Sequence, residues 1–348
     1  MANPLAPTEG IKVSSPHSYG AAPFPRSGDN RHRRRCARPK SNSALPSSNR
    51  AARPRPSARA PAQLRIKEHY DGLSSHYKSL WGQHIHHGLW KAGQEHLSKE
   101  AAQEALVREL VAHAKLPAKP RVLDVGCGVG GTSLFLAKEL GARVTGVTIS
   151  TAQVGMARSA ADEAGLGAAV DFHEGDGERL DELPALAGAA GTFDAVWISE
   201  ALSHFVNKGR FFAHAATFLK PGGKLVLADW FRADHISKKH EKGVIAAIEA
   251  GMLLPRLDAM PDYFNGMSAA GLRLVWLLDV SKETAKTWDI SIELCANPAL
   301  WSMCVTMGSD FIAFLRAFAS MREGFASGTF RYGLMVAEKP RTSEIAEE

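Results

Sequence analysis

The most constraining feature of the sequence is a glycine-rich turn that joins a short apolar strand to a helix. The run Arg121–Val125 predicts a buried strand, and residues 132–140 predict a helix. Between them stand Gly126, Gly128 and Gly131. Glycines at this spacing permit a tight turn and a close approach of the backbone to a ligand. The spacing therefore predicts a strand–turn–helix unit that binds a dinucleotide or a methyl donor, and a purely structural glycine turn is the alternative.

Strands and helices alternate regularly on both sides of this turn. Apolar runs predict further strands at residues 143–148, 169–173, 193–198 and 224–229, with helices at 151–164 and 208–219 between them. Two late strands are predicted near residues 272–280 and 330–337, and a helix precedes the alternation at residues 99–114. The pattern is typical of an α/β protein with a doubly wound, mostly parallel sheet.

Three neighbours of the turn indicate which ligand it holds. Asp124 ends the first strand, where a carboxylate suits the ammonium of a methionine moiety and opposes a pyrophosphate. The second strand ends in Thr148, Ile149 and Ser150, without the acidic residue that a nicotinamide cofactor needs at that point. A Lys-Pro-Gly-Gly turn at residues 220–223 precedes the fifth strand, as is common in methyltransferases. We therefore expect S-adenosylmethionine, with S-adenosylhomocysteine as product, and argue against a nicotinamide-dependent oxidoreductase.

Other polar residues at the carboxyl ends of the strands are predicted to contact this donor. The hydroxyls of Thr148 and Ser150 and the amide of Gln153 are candidates for neutral hydrogen bonds to the ribose. Ser150 is also a candidate cap for the following helix. Asp176 is predicted to accept the exocyclic amine of adenine and Gly177 to let the ring approach, although Asp-Gly also marks ordinary turns.

Several segments together resemble the gamma-tocopherol methyltransferase-like family. They are residues 122–131, residues 146–150 with Gln153, and the upstream segment Trp-Gly-Gln-His-Ile-His-His-Gly at residues 81–88. The resemblance covers roughly residues 64–340, and Gly-Val-Thr-Ile-Ser at 146–150 is also similar to cyclopropane fatty-acid synthases. It implies a Rossmann-like class I methyltransferase fold: a seven-stranded, mostly parallel sheet with an N-terminal cap and helical lid insertions.

The resemblance also implies site residues. The family's donor contacts fall on Asp124, Gly126, Gly128, Thr148, Gln153 and Asp176, and the segment around His86, His87 and Gly88 belongs to an element that closes over the donor. Together with the residues argued above, the predicted donor contacts are Asp124, Gly126, Gly128, Gly130, Thr148, Ser150, Gln153, Asp176, Gly177 and Ser199. No metal is expected, because His84, His86 and His87 lack an acidic or cysteine partner nearby and would not all converge from one strand.

The predicted catalytic residues are His204, Glu200 and Asp229. The segment after the fourth strand carries Glu200 and His204, and His204 is the candidate base because its ordinary pKa lies near neutrality. Asp229, at the end of the fifth strand, is a candidate to orient His204, to meet the acceptor or to cap the following segment. Glu200 is equally a candidate for a donor contact or a structural role.

The acceptor is predicted to be a small hydrophobic or aromatic metabolite, methylated on oxygen, carbon or nitrogen. Residues 231–329 are predicted to be largely helical and contain Trp276, Trp288 and Trp301, which suit an apolar acceptor site or an ordinary core. Two alternatives remain: a cyclopropane-synthase-like enzyme acting on lipid acyl chains, and a donor-binding regulatory protein without catalysis. Transient contact with a membrane surface stays possible under the first, and the oligomeric state is not predicted.

The ends of the chain differ from its centre. Residues 1–60 contain 12 of the 42 Lys and Arg residues but two of the 36 acidic ones, so the remainder is slightly acidic and nucleic-acid binding by the folded part is not expected. This Pro-, Ser- and Arg-rich segment is predicted to be disordered; it is a flexible tail, an organellar transit peptide or a nuclear signal at residues 31–35.

The rest of the chain is predicted to contain a cap at 61–116, a methyltransferase domain at 117–340 with insertions within 231–329, and a flexible end at 341–348. No run of 18 apolar residues predicts a membrane span, and the four cysteines suit a reducing, cytoplasmic location unless the tail is a transit peptide.

Overall fold

Seven strands form one mixed sheet. They are β1 (Arg121–Val125), β2 (Arg143–Thr148), β3 (Val170–Glu174), β4 (Phe193–Ser199), β5 (Leu219–Arg232), β6 (Arg273–Asp279) and β7 (Phe330–Glu338). Their order in the sheet is β3-β2-β1-β4-β5-β7-β6. Strands β1 to β5 pair in parallel, whereas β7 runs antiparallel to both β5 and β6. The predicted α/β fold with a seven-stranded, mostly parallel sheet is confirmed.

The structure is a computed structural model, and it describes residues 66–68, 70, 71, 74, 82–294 and 309–341, with the backbone alone at 309 and 310. The predictions for residues 1–60, Trp301 and residues 342–348 lie outside the described residues. All of the described residues belong to one compact unit. Within them, no helix combines the length and the apolar character needed to cross a bilayer.

Helices connect the strands and flank the sheet. They are α1 (Lys99–Ala114), α2 (Gly131–Leu140), α3 (Thr151–Glu163), α4 (Lys208–Phe218), α5 (Lys238–His240), α6 (Ala246–Gly251), α7 (Met260–Ala269), α8 (Ser281–Thr284), α9 (Lys286–Leu294) and α10 (Ser309–Ser327). Side-chain caps explain several starts: Ser98, Ser150 and Asn207 each accept a hydrogen bond from a backbone amide in the first turn of α1, α3 and α4. Between α5 and α6 the chain makes one π-helical segment, Glu241–Ile245.

The two faces of the sheet are covered separately. Along β4, Val196 and Ile198 pack with α4 and α7 residues on one face, while Trp197 packs on the other face with residues of α1, α2, α3 and α10. This alternation follows from the two-residue period of a strand, and burial on both faces explains why β4 is apolar throughout.

The strand order reverses beside β1. From β1 the chain proceeds outward to β2 and β3, then crosses back so that β4 pairs with β1 on its other side. The helices that follow β1 and β4 therefore leave on opposite faces, and a crevice opens above the carboxyl ends of these two strands. The glycine turn follows β1 and the segment of Glu200 and His204 follows β4, so both border this crevice.

Candidate functional site

A cavity of about 830 Å³ lies at the crevice. This volume suits a nucleoside-sized ligand. Of the residues predicted from the sequence, the following line it: Gly126, Gly128, Thr148, Gln153, Asp176, Gly177, Ser199, Glu200 and His204. They come from the ends of four neighbouring strands, β1 to β4, which explains why residues up to 78 positions apart in the chain share one cavity.

Asp124 lines a smaller adjoining cavity of about 370 Å³, which shares Gly126, Gly128 and Ser199 with the first. Its side chain is buried, and one oxygen accepts a 2.6 Å hydrogen bond from Ser133 Oγ. Burial raises the pKa of Asp124 to about 7, and the Ser133 hydrogen bond offsets only part of this effect. Within the described residues no basic side chain forms an ion pair with Asp124, so a ligand cation here would meet an uncompensated carboxyl.

The glycine turn requires glycine for two different reasons. Gly126 has a φ of 71°, and a Cβ atom there would lie 2.3 Å from Cβ of Ala201 in the segment after β4. Gly128 has a φ of 53°, and a Cβ atom would meet nothing within 4 Å. The first glycine thus lets two strand ends approach each other, and the second leaves open space in the cavity wall.

Two of the predicted donor contacts do not line these cavities. Ser150 caps α3, accepting from the amide of Gln153, and its hydroxyl donates to Asp71 Oδ1 at 2.5 Å. Gly130 is the N-cap of α2 with a φ of 86°, and a Cβ atom there would lie 2.8 Å from the ring of Phe172. Both residues therefore shape the loops behind the cavity walls. The alternative interpretation of Ser150, as a helix cap, matches its contacts.

Hydrogen bonds and packing within the surrounding loops fix the positions of other predicted donor contacts. Thr148 Oγ1 donates to Gln153 Oε1 at 2.6 Å, which joins the end of β2 to the first turn of α3. Asp176 Oδ1 accepts a hydrogen bond from the backbone amide of Glu178 at 2.9 Å. The Asp-Gly turn that this bond stabilises forms part of the cavity wall. At Gly177 a Cβ atom would lie 2.4 Å from the Phe205 ring, which also lines the cavity.

An N-terminal segment closes one side of the cavity. Ile66 and Tyr70 line it, and the same segment is tied to the loops after β2 and β3. Lys67 Nζ reaches Glu174 at 2.8 Å and Thr151 Oγ1 at 2.6 Å, while Asp71 accepts from Ser150 and from the amide of residue 152. We call these ties of Lys67 and Asp71 the latch.

The histidine-rich segment packs directly on the glycine turn. A Cβ atom at Gly131 would lie 2.2 Å from the carbonyl oxygen of Gln83. His86 Nδ1 donates to its neighbour's carbonyl oxygen at 2.9 Å, which leaves Nε2 to accept from His84 Nδ1 at 3.1 Å. Burial lowers the pKa of His84 to about 3 and lowers that of His86, so both rings are neutral. Within the part of the chain that the structure describes, no group of three or more His, Cys, Asp or Glu side chains could hold a metal ion.

A second cavity of about 630 Å³ adjoins the first and shares Tyr70, Ile85 and Glu200 with it. Its other walls are mainly apolar and aromatic: Trp230, Met252, Trp288, Phe314 and Phe318, with His86, His87 and Thr287. We call it the aromatic cavity. Trp230 continues β5 beyond its parallel pairing, and further walls come from α9 and α10, from the segment after α6 and from the histidine-rich segment. The predicted helical insertions therefore supply one side of this cavity, with Met252, Thr287, Trp288, Phe314 and Phe318.

Glu200 stands between the two cavities and binds His87. Its Oε1 atom accepts three hydrogen bonds: from the amide of His87 at 2.6 Å, from His87 Nδ1 at 2.9 Å and from Tyr332 Oη at 2.7 Å. Burial alone would raise the pKa of Glu200, but its electrostatic interaction and hydrogen bonds with His87 outweigh burial and lower it. Glu200 also adopts a left-handed φ of 52°, a costly conformation for a residue with a Cβ atom.

The other two predicted catalytic residues lie in different surroundings. His204 lines the larger cavity, with Nε2 3.4 Å from Tyr70 Oη and its ring 6.3 Å from that of Trp230. Asp229 is fully buried and lines none of the three cavities. Its oxygens accept from the amide of Trp230 at 2.9 Å and from Tyr263 Oη at 2.7 Å, so they tie β5 to α7. Burial raises the pKa of Asp229 to about 6.

Comparison with known proteins identifies the family. A methyltransferase-domain family matches residues 122–223, which run from β1 to the turn inside β5. The 2-methyl-6-phytyl-1,4-hydroquinone methyltransferase of Synechocystis is 30% identical over 288 residues, which are 79% of this chain and 86% of that protein. The chain belongs to the S-adenosylmethionine-dependent methyltransferases.

Other relatives of this methyltransferase agree in family and fold. The probable chloroplastic tocopherol O-methyltransferase of rice is 28% identical over 288 residues, covering 79% of this chain and 78% of the relative. Among solved structures, the [4+2]-cyclase SpnF superimposes with a TM-score of 0.69 at 26% identity, covering 81% of this chain and 97% of that one. The predicted class I methyltransferase fold and the resemblance to tocopherol methyltransferases are thereby confirmed.

Sequence reasoning missed several residues of the methyltransferase site. Tyr70, Ile85, His87 and Trp230 line one or both of the larger cavities, but none was assigned an acceptor or catalytic role, whereas Trp288 was already a candidate for an acceptor site or for the core. The Trp-Gly-Gln-His-Ile-His-His-Gly segment was a signal for His87. Its partner could not be deduced, because Glu200 lies 113 residues further along the chain.

Proposed function

We propose that this methyltransferase transfers a methyl group to a hydroxyl of a small, hydrophobic, oxygenated acceptor such as a phenol or a hydroquinone. The observation that supports this is the aromatic cavity, which opens beside the larger cavity at the crevice through the shared residues Tyr70, Ile85 and Glu200. We assign that larger cavity to the methyl donor and call it the donor cavity. An aromatic lining favours a planar or terpenoid acceptor, since such walls bury a large apolar area. Two of the relatives act, by their names, on tocopherol and on a phytyl hydroquinone.

Three groups of residues are proposed to hold the donor. Asp124, Gly126 and Gly128 would receive its aminoacyl part, and Thr148 with Gln153 would bind the ribose hydroxyls. Asp176, Gly177 and Ser199 complete the proposed set, whereas Ser150 and Gly130 would act only through the loops that they shape. Bound S-adenosylmethionine supplies a methyl group on a positively charged sulfur, which is intrinsically electrophilic.

The protein's own contribution is alignment and the exclusion of water. The latch places Ile66 and Tyr70 across the donor cavity, and the histidine-rich segment covers the glycine turn. Positioning two reactants in this way is worth roughly 7–11 kcal/mol in favourable intramolecular cases. His204 lies at the donor cavity, where its contact with Tyr70 makes it a candidate to position the segment that separates the two reactants.

The experiment combines donor binding with an acceptor screen. Calorimetry should give tight binding of S-adenosylhomocysteine and none of NAD, and radiolabelled S-adenosylmethionine should label simple hydroquinones and prenylated phenols. Labelling of phospholipid vesicles instead would favour the cyclopropane-synthase-like alternative. Donor binding without any labelled acceptor would favour a non-methylating activity, as the name of the SpnF cyclase illustrates.

We also propose that residues 1–60 direct the methyltransferase to an organelle. Their excess of basic residues and their serine content support this, and two relatives carry the word chloroplastic in their names. Import of a fusion of residues 1–60 into isolated organelles tests this proposal.

A further inference from the structure

Three buried polar atoms in the walls of the aromatic cavity have no hydrogen-bond partner within the described residues. They are His87 Nε2, Trp230 Nε1 and Trp288 Nε1. Burying such a group without a partner is destabilising, so native proteins rarely leave several in one place. Their concentration in a cavity beside the donor site points to a ligand that supplies the missing partners.

The tautomer of the neutral His87 ring follows from its hydrogen bond to Glu200. The carboxylate accepts from His87 Nδ1, so Nδ1 carries a proton and, in the neutral ring, Nε2 carries a lone pair. The ring is fixed further by Tyr332, whose ring centre lies 4.6 Å away, and by Trp288 at 5.0 Å. A buried imidazole held by a carboxylate on one nitrogen, with the other nitrogen unpartnered, is the arrangement of a general base.

The two indoles present the opposite chemistry. An indole N–H only donates, so Trp230 and Trp288 call for acceptor oxygens. A ligand that satisfies all three atoms therefore carries a hydroxyl and at least one further oxygen on an apolar frame.

Resting on the proposed function, we propose that His87, positioned by Glu200, is the general base for the acceptor hydroxyl, and that Trp230 and Trp288 select acceptors with a second oxygen. The hydroxyl proton passes to His87 Nε2 as the acceptor oxygen bonds to the methyl carbon. The carbon–sulfur bond breaks, and its electron pair remains on sulfur as a neutral thioether. His87 then releases the proton to solvent.

This assignment differs from the prediction of His204 as the base. His204 lines the donor cavity but not the aromatic cavity, and its Nε2 lies 3.4 Å from Tyr70 Oη. Glu200, which stands four residues before His204 in the chain, binds His87. The carboxylate that would polarise a general base therefore binds a histidine that lines the aromatic cavity.

The test uses 4-nitrophenol as the acceptor probe, because its ionised form absorbs visible light and its nitro group offers oxygens to the indoles. The full chain, loaded with S-adenosylhomocysteine, should bind the probe and increase its ionised fraction at pH 6. His87→Asn keeps a donor for Glu200 but removes the base, so the bound probe should stay un-ionised. The titratable groups that face His87 are Glu200, Tyr332, Tyr70 and His86, and all four are unchanged in this variant.

A matched control is available in helix α1. His113→Asn alters another histidine that pairs with a glutamate, Glu109, and stacks on Trp276 at 3.9 Å, away from the three cavities. It should leave the probe spectrum unchanged. Turnover with an acceptor from the screen should fall roughly 10²- to 10⁴-fold in His87→Asn, with the affinity for S-adenosylhomocysteine preserved. No probe binding by the loaded wild type, or a spectrum independent of His87, overturns the proposal.

The indoles are tested by removing only their N–H groups. Trp230→Phe and Trp288→Phe should each weaken probe binding roughly three- to tenfold, the loss expected for one hydrogen bond. Trp276→Phe is the control, since Trp276 Nε1 is also buried without a partner in the described residues but lies outside these cavities. Equal weakening in all three variants would overturn the role of the indoles. Loss of S-adenosylhomocysteine binding by the wild type would instead refute the proposed function.

Discussion

At the scale of single residues, the site is defined by buried polar groups whose charge or hydrogen-bonding capacity is not matched within the described residues. Asp124 has its pKa raised to about 7 by burial, and no cation pairs with it in the described residues. The sequence could predict that a carboxylate follows β1, because strand ends are readable from apolar runs. It could not predict the burial of Asp124 or the bond between Glu200 and His87, because both depend on segments distant in the chain.

The raised pKa of Asp124 makes donor binding depend on pH. Its folded-state pKa lies above the ordinary value of 3.8, so the neutral form predominates below about pH 7. A donor ammonium favours the carboxylate, and affinity for S-adenosylhomocysteine should therefore fall as the pH falls, approaching tenfold per unit well below pH 7. Calorimetry at pH 8, 7 and 6 measures this.

Two variants make that measurement specific. Asp124→Asn should bind more weakly with little pH dependence, whereas Asp229→Asn should keep the wild-type slope, because Asp229 lines none of the cavities. The two rings nearest the glycine turn, His84 and His86, have lowered pKa values and stay neutral over this range. Equal wild-type affinity at pH 6 and pH 8 would contradict the placement of the ammonium beside Asp124.

At the scale of elements, strands and helices were predictable where the hydrophobic periodicity and the capping residues indicate the same boundaries. Helix α1 was predicted with its observed bounds, and β1 to β4 to within one residue, because apolar runs and capping residues define them locally. Strand β5 begins at Leu219, five residues before the predicted start, because the Pro-Gly-Gly turn lies inside an extended segment. The latch was not predicted, since Asp71 and Ser150 are 79 residues apart.

The latch should control how fast the donor leaves. Asp71→Asn removes the charge that faces Lys67 and weakens the bonds to Ser150 and to the start of α3. Because these ties are partly exposed, a loss of about 1 kcal/mol is expected, or about a fivefold faster release of S-adenosylhomocysteine in stopped-flow displacement.

Asp279→Asn provides the comparison for the latch. Asp279 accepts from the amide and hydroxyl of Ser281 and pairs with Arg331, but it lies at the end of β6 and lines none of the cavities. Its substitution should leave the release rate unchanged. A release rate in Asp71→Asn equal to that of the wild type would show that the latch does not retain the donor.

At the scale of the whole molecule, charge divides the chain unevenly. The net charge of +6 arises because residues 1–60 are strongly basic while the remainder is slightly acidic. Residues 1–60 fused to a fluorescent protein should be imported by isolated organelles and become protected from added protease. Replacing the arginines at 31 and 33–35 with glutamine should reduce import, and a fusion of residues 61–348 should remain outside. Import of the latter fusion would contradict the proposal.

Because Tyr70 belongs to the walls of both larger cavities, the two reactants do not occupy independent compartments. When the N-terminal segment closes over the nucleoside part of the donor, it also completes the wall of the aromatic cavity, where the acceptor binds. Turnover should consequently follow a compulsory order in which the sulfonium compound enters first and its spent thioether departs last. Inhibition by S-adenosylhomocysteine would then be competitive with respect to the donor and mixed with respect to the acceptor.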